Sequence, residues 1–225
     1  MVDITKLVIG QVDLTFEERA RDFLRDITDC RGFKAIRREL GHYVVDGLKV
    51  GTGRNEGLVF KKGSVSHAGI AGRIYDTFLK YFQGRGYEPA SYELFKPRFI
   101  AAAEQGGIVQ DYFPEPSLRE LSIYFHMKRK IEQAERKFQR TLTADEIDLI
   151  RGRSASGEDL ELRCRQLLAE QSNANITSGQ LLEVQREFNT DIDYLGFVIK
   201  YDNLIVVGQR NDTLPPRIGL AMIDV

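Results

Sequence analysis

Two acids and a lysine, Glu39, Asp46 and Lys49, stand at spacings of seven and three on or beside one β-rich run. A metal-dependent nuclease or hydrolase needs these residue types on adjacent strands, to hold a cation and activate a water. Acids and lysines also flank ordinary exposed strands, so this is the minor reading of the three residues. Ser64, Ser66 and His67 bring hydroxyls and an imidazole together, but without a Gly-x-Ser-x-Gly elbow they read as a polar loop capping a helix that starts near Ala68. Gly51, Gly53 and Gly57 invite a phosphate cradle. That loop passes from strand to strand rather than from strand to helix, and it lacks a Gly-Lys-Ser or Gly-Lys-Thr ending, so it reads as a hairpin turn. His42, His67 and His126 are isolated, and neither Cys30 nor Cys164 has a second ligand two to five positions away. Neither a structural metal nor a cofactor is expected.

Charge is distributed unevenly. Residues 54–98 carry 8 Lys or Arg against 4 Asp or Glu, and residues 119–140 carry 7 against 3. Residues 141–193 reverse the balance with 5 against 11, although the whole chain of 225 residues nets only −1. A basic middle suits a polyanion or an acidic partner, and a plain solvated surface produces the same counts. The two cysteines are 134 positions apart, both beside arginines, and read as reduced thiols. The start, MVDITKLVIG, is not a basic, then apolar, then small-residue leader. A cytoplasmic protein with no membrane partner is expected, since the apolar runs are far shorter than a span of roughly 20 residues.

The positioning elements follow from periodicity. Thr15 with Glu18 is a capping box, and Phe16, Ala20, Phe23, Leu24 and Ile27 predict a helix over 15–29. Residues 42–50 and 57–63 predict a hairpin, and Ile70, Ile74, Phe78, Leu79 and Phe82 a helix over 69–83. Ser91 and Pro97 open two short helices that meet near Lys96 and run to Gly106 and Gly107, with a strand at 108–113 following. A long helix is expected over 118–139, a short one capped by Thr143, a loop at SASGED, and helices at 157–171 and 177–188. Residues 193–211 read as two strands split by a YDN turn, with a last strand in RIGLAMIDV. The class is α+β, helix-rich, with a winged-helix-like middle and β-hairpins near both ends. An N-terminal region of residues 1–140 would contain the module at 68–113. Residues 141–225 would add a helical segment and a hairpin, packed on the same body.

The order helix, short helix, proline turn, helix, double glycine and strand over 68–113 is that of a winged helix-turn-helix. This stretch resembles the winged-helix modules of phage and plasmid replication proteins, with Tyr75, Tyr81, Gly86, Pro89, Ser91, Phe95 and Gly107 in the places of their tyrosine helix, glycine, proline-serine pair, phenylalanine and closing glycine. The presumed reading helix departs from the pattern, because Ala101, Ala102, Ala103 and Glu104 follow Arg98 with no further positive charge.

The resemblance implies DNA or RNA as a partner. Phosphate contacts would then fall to Lys61, Lys62, Arg73, Lys80, Arg85, Lys96 and Arg98, extended by Lys128, Arg129 and Lys130. The leading expectation is a non-enzymatic accessory or adaptor that also holds a protein partner subunit. A subunit of a complex or homo-oligomer without nucleic acid is the alternative, and a metal-dependent nuclease the third.

Overall fold

The computed structural model describes residues 14–40, 43–63, 65–151, 176–210 and 216–223, as a mixed α+β fold with two sheets. The chain groups into two compact units: residues 1–36, 47–65 and 98–112 form the first, and residues 37–46, 66–97 and 113–225 the second. Among the described residues no helix is long and apolar enough to cross a membrane.

The first unit is built on a five-stranded sheet from β1 (Phe33–Leu40), β2 (Tyr43–Gly51), β3 (Leu58–Lys62), β5 (Phe99–Ala102) and β6 (Gly107–Asp111), in the order β1-β2-β3-β6-β5. Helix α1 (Leu14–Thr28) places Phe16, Ala20, Phe23 and Ile27 on one stripe, and these bury against Leu58, Phe60, Ala102 and Val109. The helix already includes Leu14, so Thr15 is not its cap.

Asp26 ties the end of α1 to the β2–β3 turn. Its carboxylate accepts from Arg31 Nε at 3.0 Å, Arg54 Nη2 at 2.8 Å and Asn55 Nδ2 at 2.8 Å. Gly32 sits at φ +68°, and a Cβ there would stand 2.6 Å from Asn55 Nδ2, so only glycine lets the strand pass this knot. Hydrogen bonds from Asn55 and Arg54 hold the Asp26 carboxyl down at about 2. A depressed carboxyl contributes stability above its ordinary value of 3.8 and loses it as pH falls toward about 2. Asp26→Asn is therefore expected to lower stability at neutral pH and to flatten the acid loss across that window. Circular dichroism during acid titration checks both, and an unchanged acid limb would contradict this role.

The second unit contains a three-stranded sheet. β4 (Tyr92–Phe95) runs parallel to β8 (Arg217–Met222), and β7 (Leu204–Arg210) pairs antiparallel on the other side of β8. Helices α2 (Val65–Arg85), α3 (Leu118–Phe138) and α5 (Ser178–Leu195) supply Phe78, Leu118, Leu121, Val184 and Phe188 to a core shared with Tyr92, Leu204 and Leu220. Ser117 and Thr177 close complete capping boxes on α3 and α5. Thr143 and Glu146 exchange hydrogen bonds at the start of α4 (Ala144–Arg151), as their spacing predicts.

Two expectations are corrected. The pair of helices expected over 91–106 is absent, because residues 92–95 are β4 and residues 99–102 are β5. Tyr92 and Leu94 are buried while Glu93 and Phe95 are half-buried, a period of two that a helical reading of four residues misses. Pro97 biases Lys96 toward extended backbone, and the helix preference of three alanines yields to pairing of Phe99, Ile100, Ala101 and Ala102 with β6. The element order of a helix-turn-helix is therefore not what these residues adopt.

The strand expected before the YDN turn is also absent. α5 continues to Leu195 and closes on Gly196 at φ +69°, whose N–H donates to Asp193 and Ile192 carbonyls. β7 finds its partner in β8 instead. The expected loop at SASGED and helix at 157–171 lie outside the described residues, as do His42, Ser64 and Cys164.

Candidate functional site

Strand register sorts the first unit's side chains onto two faces. β2 pairs Lys49 with Phe60 and Val50 with Val59, β3 pairs Val59 with Gln110 and Lys61 with Ile108, and β5 pairs Phe99 with Gln110 and Ala101 with Ile108. Because side chains alternate, Phe60 and Leu58 face α1 while Val59 and Lys61 face away from it. The face away from α1 therefore carries two rows. One runs Leu48, Lys61, Ile108, Ala101 and the next Val50, Val59, Gln110, Phe99.

This face is largely enclosed. Val59 is 2% exposed, Ile108 0%, Val50 4% and Leu48 6%, and the two polar residues among them, Lys61 and Gln110, are 9% and 3% exposed. Moving an ammonium out of water into apolar surroundings costs several kcal/mol, so a lysine held there implies a function for its charge or a specific local partner. Lys62, its neighbour in sequence, points the other way and is exposed. Lys49 lies 4.8 Å from the ring centre of Phe33 and 5.9 Å from that of Phe60, on the α1 face. That placement explains Lys49 as a cation resting on aromatic rings, while the side chains of Glu39 and Asp46 lie outside the described residues.

The ten basic positions of the sequence reading divide between the units. Lys61, Lys62 and Arg98 belong to the first, and Arg73, Lys80, Arg85, Lys96, Lys128, Arg129 and Lys130 to the second. Several are engaged by the chain itself. Arg98 donates to Asp111 at 2.9 Å and stacks 4.7 Å from the Phe16 ring centre. Lys96 pairs with Asp76 at 3.1 Å, its stem lying 3.4 Å from where a Gly72 Cβ would be. Arg85 donates to the Tyr81 hydroxyl at 3.1 Å and stacks 4.8 Å from the Tyr194 ring centre. Arg73 and Lys80 on α2, and Lys128, Arg129 and Lys130 on α3, are exposed.

A second constellation escaped the sequence reading. Glu187 and Asp191, four apart on α5, face the tyrosines of the second unit. Glu187 accepts from Tyr87 Oη at 2.7 Å, from Ala90 N at 2.9 Å, from Ser91 N at 2.8 Å and from the Ser91 hydroxyl. Burial alone would raise its carboxyl, but those hydroxyls and backbone donors hold it below the ordinary range. Asp191 accepts from Tyr92 Oη at 2.6 Å, and burial pushes its carboxyl up. A serine beside two carboxylates has the composition of a hydrolytic centre. Here four hydrogen bonds to Glu187 fasten the chain before β4 to α5, and that bonding describes a clamp. Its only signal in the sequence is the Glu187–Asp191 spacing of four, which many helices share.

Cys30 is an exposed free thiol at φ 55°. No family model, curated protein or solved structure matches this chain.

Proposed function

We propose that the first unit binds a nucleoside triphosphate on the sheet face away from α1, with the base against Val50, Val59 and Ile108 and the phosphates held by Lys61. The observation that carries this reading is the recessed lysine, one ammonium and one amide set among apolar side chains. A flat apolar wall with a few fixed polar groups is the usual makeup of a small-molecule site. The position of the lysine also has a chemical precedent. Protein kinases carry the lysine that pairs with the α- and β-phosphates on the third strand of their sheet, at the end of a Val-Ala-Ile-Lys run. Here the third strand reads Leu58, Val59, Phe60, Lys61, and a helix follows at Val65.

The likeness is one of chemistry at a single strand. The chain has no Gly-x-Gly-x-x-Gly run and no His-Arg-Asp run, the pieces that cover the phosphates and accept the substrate proton in those enzymes. The proposal is therefore binding, and transfer is not part of it.

Nucleic-acid binding by an accessory protein is the second reading, favoured by the exposed run Lys128, Arg129, Lys130 on α3. The engagement of Lys96, Arg98 and Arg85 by the chain itself leaves it fewer cations.

Thermal unfolding of the whole chain with millimolar Mg-ATP, and in parallel with single-stranded DNA, separates the two. A ligand at 100 times its Kd stabilises the state that binds it by about 2.7 kcal/mol, a shift of several degrees. ATP is expected to raise the midpoint. A midpoint unmoved by ATP but raised by DNA at low salt would replace the first reading with the second.

A further inference from the structure

We infer that Gln110 selects the base, favouring adenine over purines that carry an oxygen at position 6; this rests on the nucleotide reading of the same face. The argument begins with where the register puts the amide. Gln110 lies opposite Val59 on one side and Phe99 on the other, and Val59 in turn lies opposite Val50. One row away, Lys61 is opposite Ile108. Lysine and glutamine are thus diagonal neighbours on adjacent strands, about 7–8 Å apart by strand geometry. A nucleotide lying across this face with its phosphates at Lys61 brings its base into the row of Val50, Val59 and Gln110.

A primary amide presents a donor beside an acceptor. The 6-amino edge of adenine presents the complement, an amino donor beside a ring-nitrogen acceptor, and glutamine reads that edge with two parallel hydrogen bonds. A 6-oxo purine offers two acceptors on the same edge. The amide can then donate, but its own oxygen meets a carbonyl and stays unbonded. In water that loss is small. At a residue 3% exposed it is not, because a buried polar atom left without a partner retains its full desolvation cost. Enclosure of Gln110 is therefore what turns an amide into a discriminator.

The test is calorimetric titration of the whole chain with Mg-ATP and with Mg-ITP, which differ at position 6 of the base. Wild type is expected to bind ATP roughly 5- to 100-fold more tightly than ITP, the discrimination a bidentate amide-to-base pair supplies. Gln110→Met, close in volume and without an amide, is expected to bring ATP down to the ITP affinity, with a thermal melt confirming that it folds. Equal affinities in wild type, or a preference that survives in Gln110→Met, overturn the role of Gln110 and leave nucleotide binding standing. Should Gln110→Met fail to fold, the wild-type comparison decides alone, and absence of binding by either nucleotide overturns both readings.

Discussion

Replacing Phe188 by alanine is expected to destabilise the second unit by about 3–5 kcal/mol, the range for removing a fully buried phenyl ring from a core that cannot close over the gap. Phe188 is 0% exposed. Its ring stacks on Phe78 with centres 5.8 Å apart and meets Tyr92 edge-on at 5.5 Å. Aromatic pairs of this kind add to the area term, so the loss falls at the upper part of the range. The same helix carries Glu187 and Asp191, whose hydrogen bonds run to Tyr87, Ser91 and Tyr92. A cavity under Phe188 therefore loosens a helix that also anchors β4. Urea unfolding followed by circular dichroism checks this, with Leu182→Ala as the comparison on the same helix. Leu182 is 53% exposed, and its truncation is expected to change stability by no more than about 0.5 kcal/mol. Similar costs for the two substitutions would contradict the placement of α5 on its Phe188 face.

The helices were legible because their burial is local in sequence. Phe16, Ala20, Phe23 and Ile27 recur at three and four, and all are buried. Ser117 with Glu120 and Thr177 with Gln180 announce helix starts by contacts spanning three residues. Residues 91–106 were misread for the opposite reason. Their extended state is set by partners far along the chain: β4 pairs with β8 across more than a hundred residues, and Ser91 is held by Glu187. Against those contacts the helix preference of Ala101, Ala102 and Ala103 is a weak bias. The turn YDN was recognised as a break, but its strand pairs forward with residues 217–222 rather than back with residues 196–200.

The functional face was less legible than the fold. Lys61 and Lys62 are the same residue type side by side, and only the alternation of β3 makes one recessed and the other exposed. Gln110 carries no charge and belongs to no motif, so its place beside Val59 emerges only from the pairing of β3 with β6. Charge counting failed in a similar way. It sees Lys96 and Arg98 as part of a basic block, whereas Asp76 and Asp111, 20 and 13 residues away, neutralise them in the fold.

The account stands on Lys61 as the group that holds phosphate. Lys61→Met keeps the long apolar stem and removes the ammonium, so Val59 and Ile108 keep their packing while the charge is lost. A charge-assisted hydrogen bond to phosphate contributes roughly 1.5–3 kcal/mol, so removing it is expected to weaken nucleotide binding on the order of 10- to 100-fold. Lys62→Met, one position on and exposed, removes the same charge from the opposite face and is expected to change binding less than about twofold, the scale of surface charge effects. The deciding measurement is a calorimetric titration of Mg-ATP into wild type, Lys61→Met and Lys62→Met, each shown to be folded by its melt. The account predicts binding in wild type and Lys62→Met and its loss in Lys61→Met; equal affinity in all three, or no binding by wild type, would contradict it.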